Sequence, residues 1–126
     1  MLYLFVVLGG GIGALLRYMS VEFIKKLFGT PFPLGTFTVN LIGSLLIGFL
    51  FAVFEARLLP DQFRLFAITG FLGGYTTFSS YSLETARYLL NGDTRLALAN
   101  MLLSNLLCLA LTLAGMKLAK MLLPEQ

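Results

Sequence analysis

Residues 69–82 read TGFLGGYTTFSSYS, and this run decides how the third hydrophobic segment of the chain folds. Three glycines and a dense run of serine and threonine lie near its middle, where each residue weakens helical hydrogen bonding or competes with it. The surrounding segment, residues 65–91, is also longer than a straight membrane-spanning helix requires. The pattern therefore predicts two half-helices separated by an unwound stretch at residues 73–77.

An unwound stretch at membrane depth has to be satisfied by protein or water, and in transporters such breaks mark ion sites. Freed carbonyls of Gly73 and Thr76 are hard oxygen ligands for a small cation, whereas the amino end of the second half-helix presents N–H groups to an anion. Phe78 and Tyr81 share one face of that half-helix, and ring edges carry the positive part of the aromatic quadrupole. A pair of such ring edges can hold a dehydrated anion without a full countercharge, although phenylalanine at helical spacing is far more often simple packing.

The composition places the whole chain in a membrane. Hydrophobic residues make up 58% of it and charged residues 12%, which is outside the usual range of soluble domains. A spanning helix needs about 20 apolar residues, and uncharged runs cover residues 1–16, 35–54, 65–83 and 96–116, the first continuing past Arg17. We predict an all-α membrane protein, a single domain of residues 1–126, with four transmembrane helices at about 2–28, 34–54, 65–91 and 95–122. The first segment lacks a basic region and a cleavage site, so we interpret it as retained rather than as a secretory signal.

The residue types exclude several classes of function. The chain has one cysteine, Cys108, and no histidine, so no disulfide framework, Cys/His metal cluster or histidine-based catalysis is available. No nucleophile, base and orienting group come together, and the sequence predicts that the protein is not an enzyme. The net charge of +3 comes from basic residues mostly at the ends of spans, which favours lipid headgroups over nucleic acid as partners.

Basic residues are balanced between the two sides of the predicted bundle. Four spans put both termini on one side, and the positive-inside bias that normally fixes orientation is then absent. We expect that the chain can insert both ways round and form an antiparallel dimer; the alternative is one orientation fixed by weaker features. The terminal side holds Arg57, Arg64, Lys117 and Lys120, and the opposite side holds Lys25, Lys26, Arg87 and Arg95.

Polar or small residues recur every four positions in two of the spans, which puts them on one helical face. Such stripes either replace the water around a small ion or join helices together, the commoner use of these residues in membranes. The second span carries Thr36, Asn40, Ser44 and Gly48, and the fourth carries Asn100, Ser104, Cys108 and Thr112.

The first span combines close-packing glycines with a charge. Gly9 and Gly13 have the small-xxx-small spacing that lets helices approach closely in lipid. Arg17 needs a partner there: it snorkels, pairs with a carboxylate such as Glu84, or lines an anion vestibule. The sequence leaves these alternatives open.

Two groups of residues resemble the Fluc/CrcB fluoride channels, and the resemblance extends over essentially the whole chain. They are Gly35-Thr36 followed by Val39-Asn40-Leu41, and TGFLGG at residues 69–74 running into TTFS at residues 76–79.

The resemblance implies a channel that lets fluoride leave the cytoplasm passively across the cell (inner) membrane. It implies an antiparallel, dual-topology homodimer with a structural sodium ion, Na+, held at its centre by the carbonyls of Gly73 and Thr76 from both subunits. The family usually has phenylalanine at Tyr81 and serine at Cys108; tyrosine keeps the ring edge and adds a hydroxyl that can donate a hydrogen bond. The fluoride-pore residues that it implies are Phe78, Tyr81, Asn40, Ser79, Ser104 and Thr112, with Arg17 near the vestibule.

Two other functions compete with the channel. Small four-span, proton-coupled exporters of cationic drugs also dimerise antiparallel, but they rely on a carboxylate embedded in the first span, where this chain offers Arg17. A non-conducting assembly subunit would explain the glycine packing but not the break in the third span.

Overall fold

The computed structural model describes residues 1–56 and 59–123, and every regular element in those ranges is a helix. The prediction of an all-α protein is confirmed. Arg57, which was counted in the charge balance, lies outside the described residues. The elements are α1 (Leu2–Phe28), α2 (Leu34–Glu55), α3 (Asp61–Arg64), the π-helix π1 (Leu65–Leu72), α4 (Gly73–Tyr75), α5 (Phe78–Leu90) and α6 (Thr94–Leu122).

Three helices in the described ranges are long and apolar enough to cross a membrane, namely α1, α2 and α6. The segment from Asp61 to Leu90 is divided into shorter elements, so no single helix within it reaches that length. Its first part runs continuously through α3, π1 and α4, and its second part is α5.

The interruption falls on Thr76 and Thr77, which have extended backbones with φ/ψ of −84°/156° and −149°/112°. Gly73–Tyr75 is helical, so the break is shorter than the predicted stretch of residues 73–77. The glycines do not unwind the helix because Gly70 and Gly74 pack against α1. A methyl group on Gly70 would come within 2.8 Å of the Val6 carbonyl oxygen.

Helix α1 packs closely on π1 and α4 through its own glycines. Side chains at Gly9 and Gly13 would overlap the backbone carbonyls of Phe66 and Phe71, which confirms the packing interpretation of this pair. Gly11 has nothing within 4 Å. One face of α1 therefore packs against the broken segment, and that contact holds the first half of the segment in place.

Helices α2 and α6 form the other closely packed pair. A side chain at Gly48 would overlap the Thr112 carbonyl, and one at Gly115 would overlap the Leu45 carbonyl. Gly43, nearer the start of α2, faces the Thr76 side chain at the break. The α2–α6 pair thus forms a scaffold against which the break lies.

Candidate ion site

The extended backbone at the break is held by one side chain from α2. Asn40 Oδ1 accepts a hydrogen bond from the Thr77 N–H at 2.8 Å, and Asn40 Nδ2 donates to the Thr77 carbonyl at 3.1 Å. The amide therefore satisfies both backbone groups of a residue that belongs to no helix. An amide nitrogen carries two hydrogens, so one N–H donor of Asn40 remains for another partner.

Thr77 is also the N-cap of α5. Its Oγ1 accepts from the Ser80 N–H at 3.1 Å, and it lies 3.2 Å from Ser79 Oγ and 3.1 Å from Ser80 Oγ. The first N–H groups of a helix have no partner within the helix, and the cap uses that of Ser80. The N–H groups of Phe78 and Ser79 remain at the positive end of α5.

Carbonyl groups are freed on the opposite side of the break. The Thr77 N–H donates to Asn40, so the Gly73 carbonyl lacks its usual helical partner four residues on. The Thr76 carbonyl has no hydrogen bond within residues 1–56 and 59–123. Of the two carbonyls between them, that of Gly74 accepts from Arg17 Nε at 3.0 Å.

Arg17 is thus held by backbone. The only ion pair within the described ranges joins Lys25 to Glu22, so pairing of Arg17 with a carboxylate is not seen there. Glu84, the other candidate, accepts a hydrogen bond at Oε1 from Thr36 Oγ1 at 2.7 Å, and its buried Oε2 has no hydrogen bond in the described part of the chain.

A groove of about 290 Å³ runs along the break between α2, α5 and α6. The rings of Phe78 and Tyr81 meet in it with centroids 5.3 Å apart and a tilt of 50°, and Phe78 is 75% exposed. The groove adds Thr77 and Asn105 to seven residues singled out in the sequence, namely Asn40, Ser44, Thr76, Phe78, Tyr81, Ser104 and Cys108.

The other predicted site residues lie outside this groove. Thr112 Oγ1 donates to the Cys108 carbonyl at 3.0 Å, one helical turn back on α6. Ser79 is exposed on the first turn of α5, and Arg17 and Gly73 lie on the other side of the break. The stripe on α6 is therefore only partly turned towards the groove.

Ser104 lines the groove, but its hydroxyl proton is used in a hydrogen bond within the protein. Three hydrogen bonds form a chain, and the middle one joins α5 to α6: Thr85 Oγ1 donates to the Tyr81 carbonyl at 2.8 Å, Asn100 Nδ2 donates to Thr85 Oγ1 at 3.0 Å, and Ser104 Oγ donates to Asn100 Oδ1 at 3.1 Å. The carbonyl at one end can only accept, and this fixes the direction of every bond in the chain. Ser104 therefore turns lone pairs rather than a proton towards the groove.

Two residues that the sequence interpretation did not single out are central to the geometry. Thr77 was one of several polar residues in the run at residues 69–82, and its role depends on Asn40, which is distant in sequence. Asn105 lies one residue beyond Ser104, off the four-residue stripe, and donates from Nδ2 to the Tyr81 hydroxyl oxygen at 3.0 Å. No signal in a single sequence pairs Asn105 with Tyr81.

The fold and the groove define a multi-pass α-helical membrane protein whose one interrupted helix borders a polar and aromatic groove. The chain belongs to the family described as CrcB-like protein, Camphor Resistance (CrcB), which matches residues 4–116.

Curated relatives agree with this assignment over nearly their whole length. A protein of Citrifermentans bemidjiense is 46% identical over 92% of this chain and 94% of its own. Proteins of Clostridium perfringens and Maridesulfovibrio salexigens are 42% and 38% identical, covering 97% and 94% of this chain and 96% and 95% of their own. Each of the three is named fluoride-specific ion channel FluC.

Proposed function

We propose that this protein is the subunit of a fluoride-selective channel that lets fluoride leave the cytoplasm passively. The names of its relatives support fluoride as the ion. The observation that carries the proposal within the chain is the capped break, which leaves the Phe78 and Ser79 N–H groups at the start of α5. These donors adjoin the groove that Asn40 and Phe78 line.

The donors suit a small anion without a full countercharge. A spare N–H of Asn40 and the positive edge of the Phe78 ring offer partial positive charge, and Arg17 is engaged with the Gly74 carbonyl. A fixed cation in the groove would bind the anion too tightly for rapid conduction, because passage requires binding that is weak enough to release the ion. Rigid, short-range donors favour fluoride over the larger chloride.

We propose that two copies assemble antiparallel. In a single copy the groove is open and Phe78 is 75% exposed, so a second copy is needed to close a pore over that ring. Exposed apolar side chains also occur along α6, for example Leu102 and Leu106. The balanced basic residues support insertion in both orientations.

The carbonyls of Gly73 and Thr76 fit a structural sodium ion. Both lack a helical partner at the break, and the described ranges contain no cluster of His, Cys, Asp or Glu that would suit another metal. Two oxygens from one chain are too few to replace a hydration shell, so the proposed site requires a second copy that contributes the same pair. Sodium at this position would neutralise carbonyl dipoles that otherwise face each other across the interface.

The first prediction is rapid loss of fluoride from liposomes that contain the purified protein. A fluoride electrode should record release within seconds once the membrane potential that opposes fluoride efflux is removed, because a passive pore needs no coupled ion. A parallel chloride electrode should record no release of chloride. Loss of both anions would contradict selectivity. Absence of fluoride release would contradict the channel itself, and release that requires a proton gradient would favour the exporter.

The second prediction is that the dimer depends on sodium. In detergent with sodium chloride the protein should have the mass of two copies, since paired carbonyls share the ion. Replacing sodium with N-methylglucamine should move the mass towards one copy or lower the unfolding temperature by several degrees. Light scattering after size-exclusion chromatography measures the first effect and a thermal melt the second. An unchanged dimer with an unchanged melting temperature would contradict the sodium site.

A further inference from the structure

The hydroxyl of Tyr81 has a proton without an acceptor in the described part of the chain. Its oxygen makes one hydrogen bond there, and in that bond it accepts from Asn105 Nδ2 at 3.0 Å. Tyr81 is 9% exposed, and both residues line the groove beside Phe78. A phenol can accept and donate at once, so the donor function of this hydroxyl is still available.

The direction of the bond is fixed by a third group. Asn105 Nδ2 also donates to the Met101 carbonyl at 2.7 Å. A carbonyl can only accept, so a flipped amide would set two oxygens against each other, and the nitrogen of Asn105 must face both partners. Its two hydrogens are therefore used on Met101 and Tyr81. Tyr81 must accept from Asn105, and its own O–H points away from that bond.

The two hydroxyls of the polar stripe on α6 are not available as donors. Ser104 gives its proton to Asn100, and Thr112 gives its proton to the Cys108 carbonyl. The Cys108 thiol is a weak donor. On this wall of the groove the strong donor without a partner is the phenol of Tyr81.

We propose that the Tyr81 hydroxyl donates a hydrogen bond to the permeating anion and that Asn105 is the positioning residue that directs it. This inference rests on the proposed function of the groove as a fluoride path. A hydrogen bond to an ion is about twice as strong as one between neutral groups. The hydroxyl thus adds a binding contact that a phenylalanine at this position lacks.

Removing the hydroxyl should weaken ion binding without closing the path. Tyr81→Phe keeps the ring, and we expect it to raise the half-saturating fluoride concentration for efflux by about tenfold, the effect of losing one charge-assisted hydrogen bond. Leucine is similar in size to asparagine and uncharged. Asn105→Leu should raise the half-saturating fluoride concentration by a smaller factor, because the Tyr81 hydroxyl is then no longer directed. In the Y81F background Asn105→Leu should add nothing, since Asn105 acts through that hydroxyl.

A second measurement does not depend on flux. Fluoride binding should perturb the near-ultraviolet absorption of tyrosine in the unmodified protein but not in the Y81F variant. Tyr75→Phe is the matched control: Tyr75 is buried against Phe71, with ring centroids 5.8 Å apart, and does not line the groove. This variant should keep both the spectral change and the half-saturating concentration.

The outcomes separate this inference from the proposed function. Rapid fluoride efflux from Y81F with an unchanged half-saturating concentration and an unchanged difference spectrum would overturn the role of the hydroxyl and leave the channel intact. Additive effects of the two substitutions would overturn the positioning role of Asn105. Absence of fluoride efflux from the unmodified protein would instead overturn the proposed function on which the inference rests.

Discussion

Substituting Phe78 with isoleucine is expected to abolish fluoride efflux while leaving the protein folded. The ring is 75% exposed in the single copy and meets Tyr81 at a centroid distance of 5.3 Å, so it contributes little to the packing of its own chain. Isoleucine fills similar space but has no aromatic quadrupole, and an anion gains nothing from its aliphatic edge. We expect the efflux rate in the liposome assay to fall to that of protein-free vesicles.

The matched control is Phe23→Ile on α1. Phe23 is 65% exposed, like Phe78, but lies outside the groove, and its replacement should leave efflux unchanged. Size-exclusion chromatography should give the same elution volume for both variants and the unmodified protein. Normal efflux from the Phe78 variant would mean that this ring does not contribute to the ion path. Loss of efflux together with aggregation would mean that the ring acts in assembly rather than in conduction.

Much of the fold could be predicted from the sequence because it depends on local composition. Uncharged runs of about 20 residues predict the long helices, and the observed α1, α2 and α6 agree with them. The interruption of the third segment was also predictable, since glycine, serine and threonine weaken a helix. Its extent was not: the break covers only Thr76 and Thr77, the end of the predicted stretch, because Gly70 and Gly74 are used in packing against α1.

The site was predictable only where each residue acts alone. Phe78 and Tyr81 share a face by helical spacing, and Asn40 lies on a polar stripe of α2. The pairing of Asn40 with Thr77 spans 37 positions, and no periodicity signals a contact between different elements. Ser104 shows the converse: its position on the stripe predicted a groove residue, but the direction of its hydrogen bond depends on Thr85 and the Tyr81 carbonyl.

Replacing Asn40 with leucine should produce the largest loss of stability among groove substitutions. Leucine is close in size but leaves the N–H and the carbonyl of Thr77 without their partner. An unsatisfied backbone group costs about 1–3 kcal/mol, so the free energy of unfolding should fall by about 2–6 kcal/mol. Fluoride efflux should fall as well, because the spare N–H of the amide is lost with the support of the break. Thermal unfolding in detergent and the liposome assay measure the two effects.

Two further substitutions separate support of the break from contact with the ion. Ser44→Ala changes a polar residue of the same groove, one turn along α2, that has no hydrogen bond from its side chain in the described ranges, and should leave the unfolding temperature unchanged. The ionised carboxylate of Asn40→Asp keeps an acceptor for the Thr77 N–H but sets a charged oxygen against the Thr77 carbonyl, so this variant should also unfold at a lower temperature than the unmodified protein. If Asn40→Leu unfolds at the unmodified temperature but conducts no fluoride, Asn40 serves the ion alone. If both the unfolding temperature and the fluoride efflux of Asn40→Leu are unchanged, the break is held by other contacts and Asn40 is not part of the ion site.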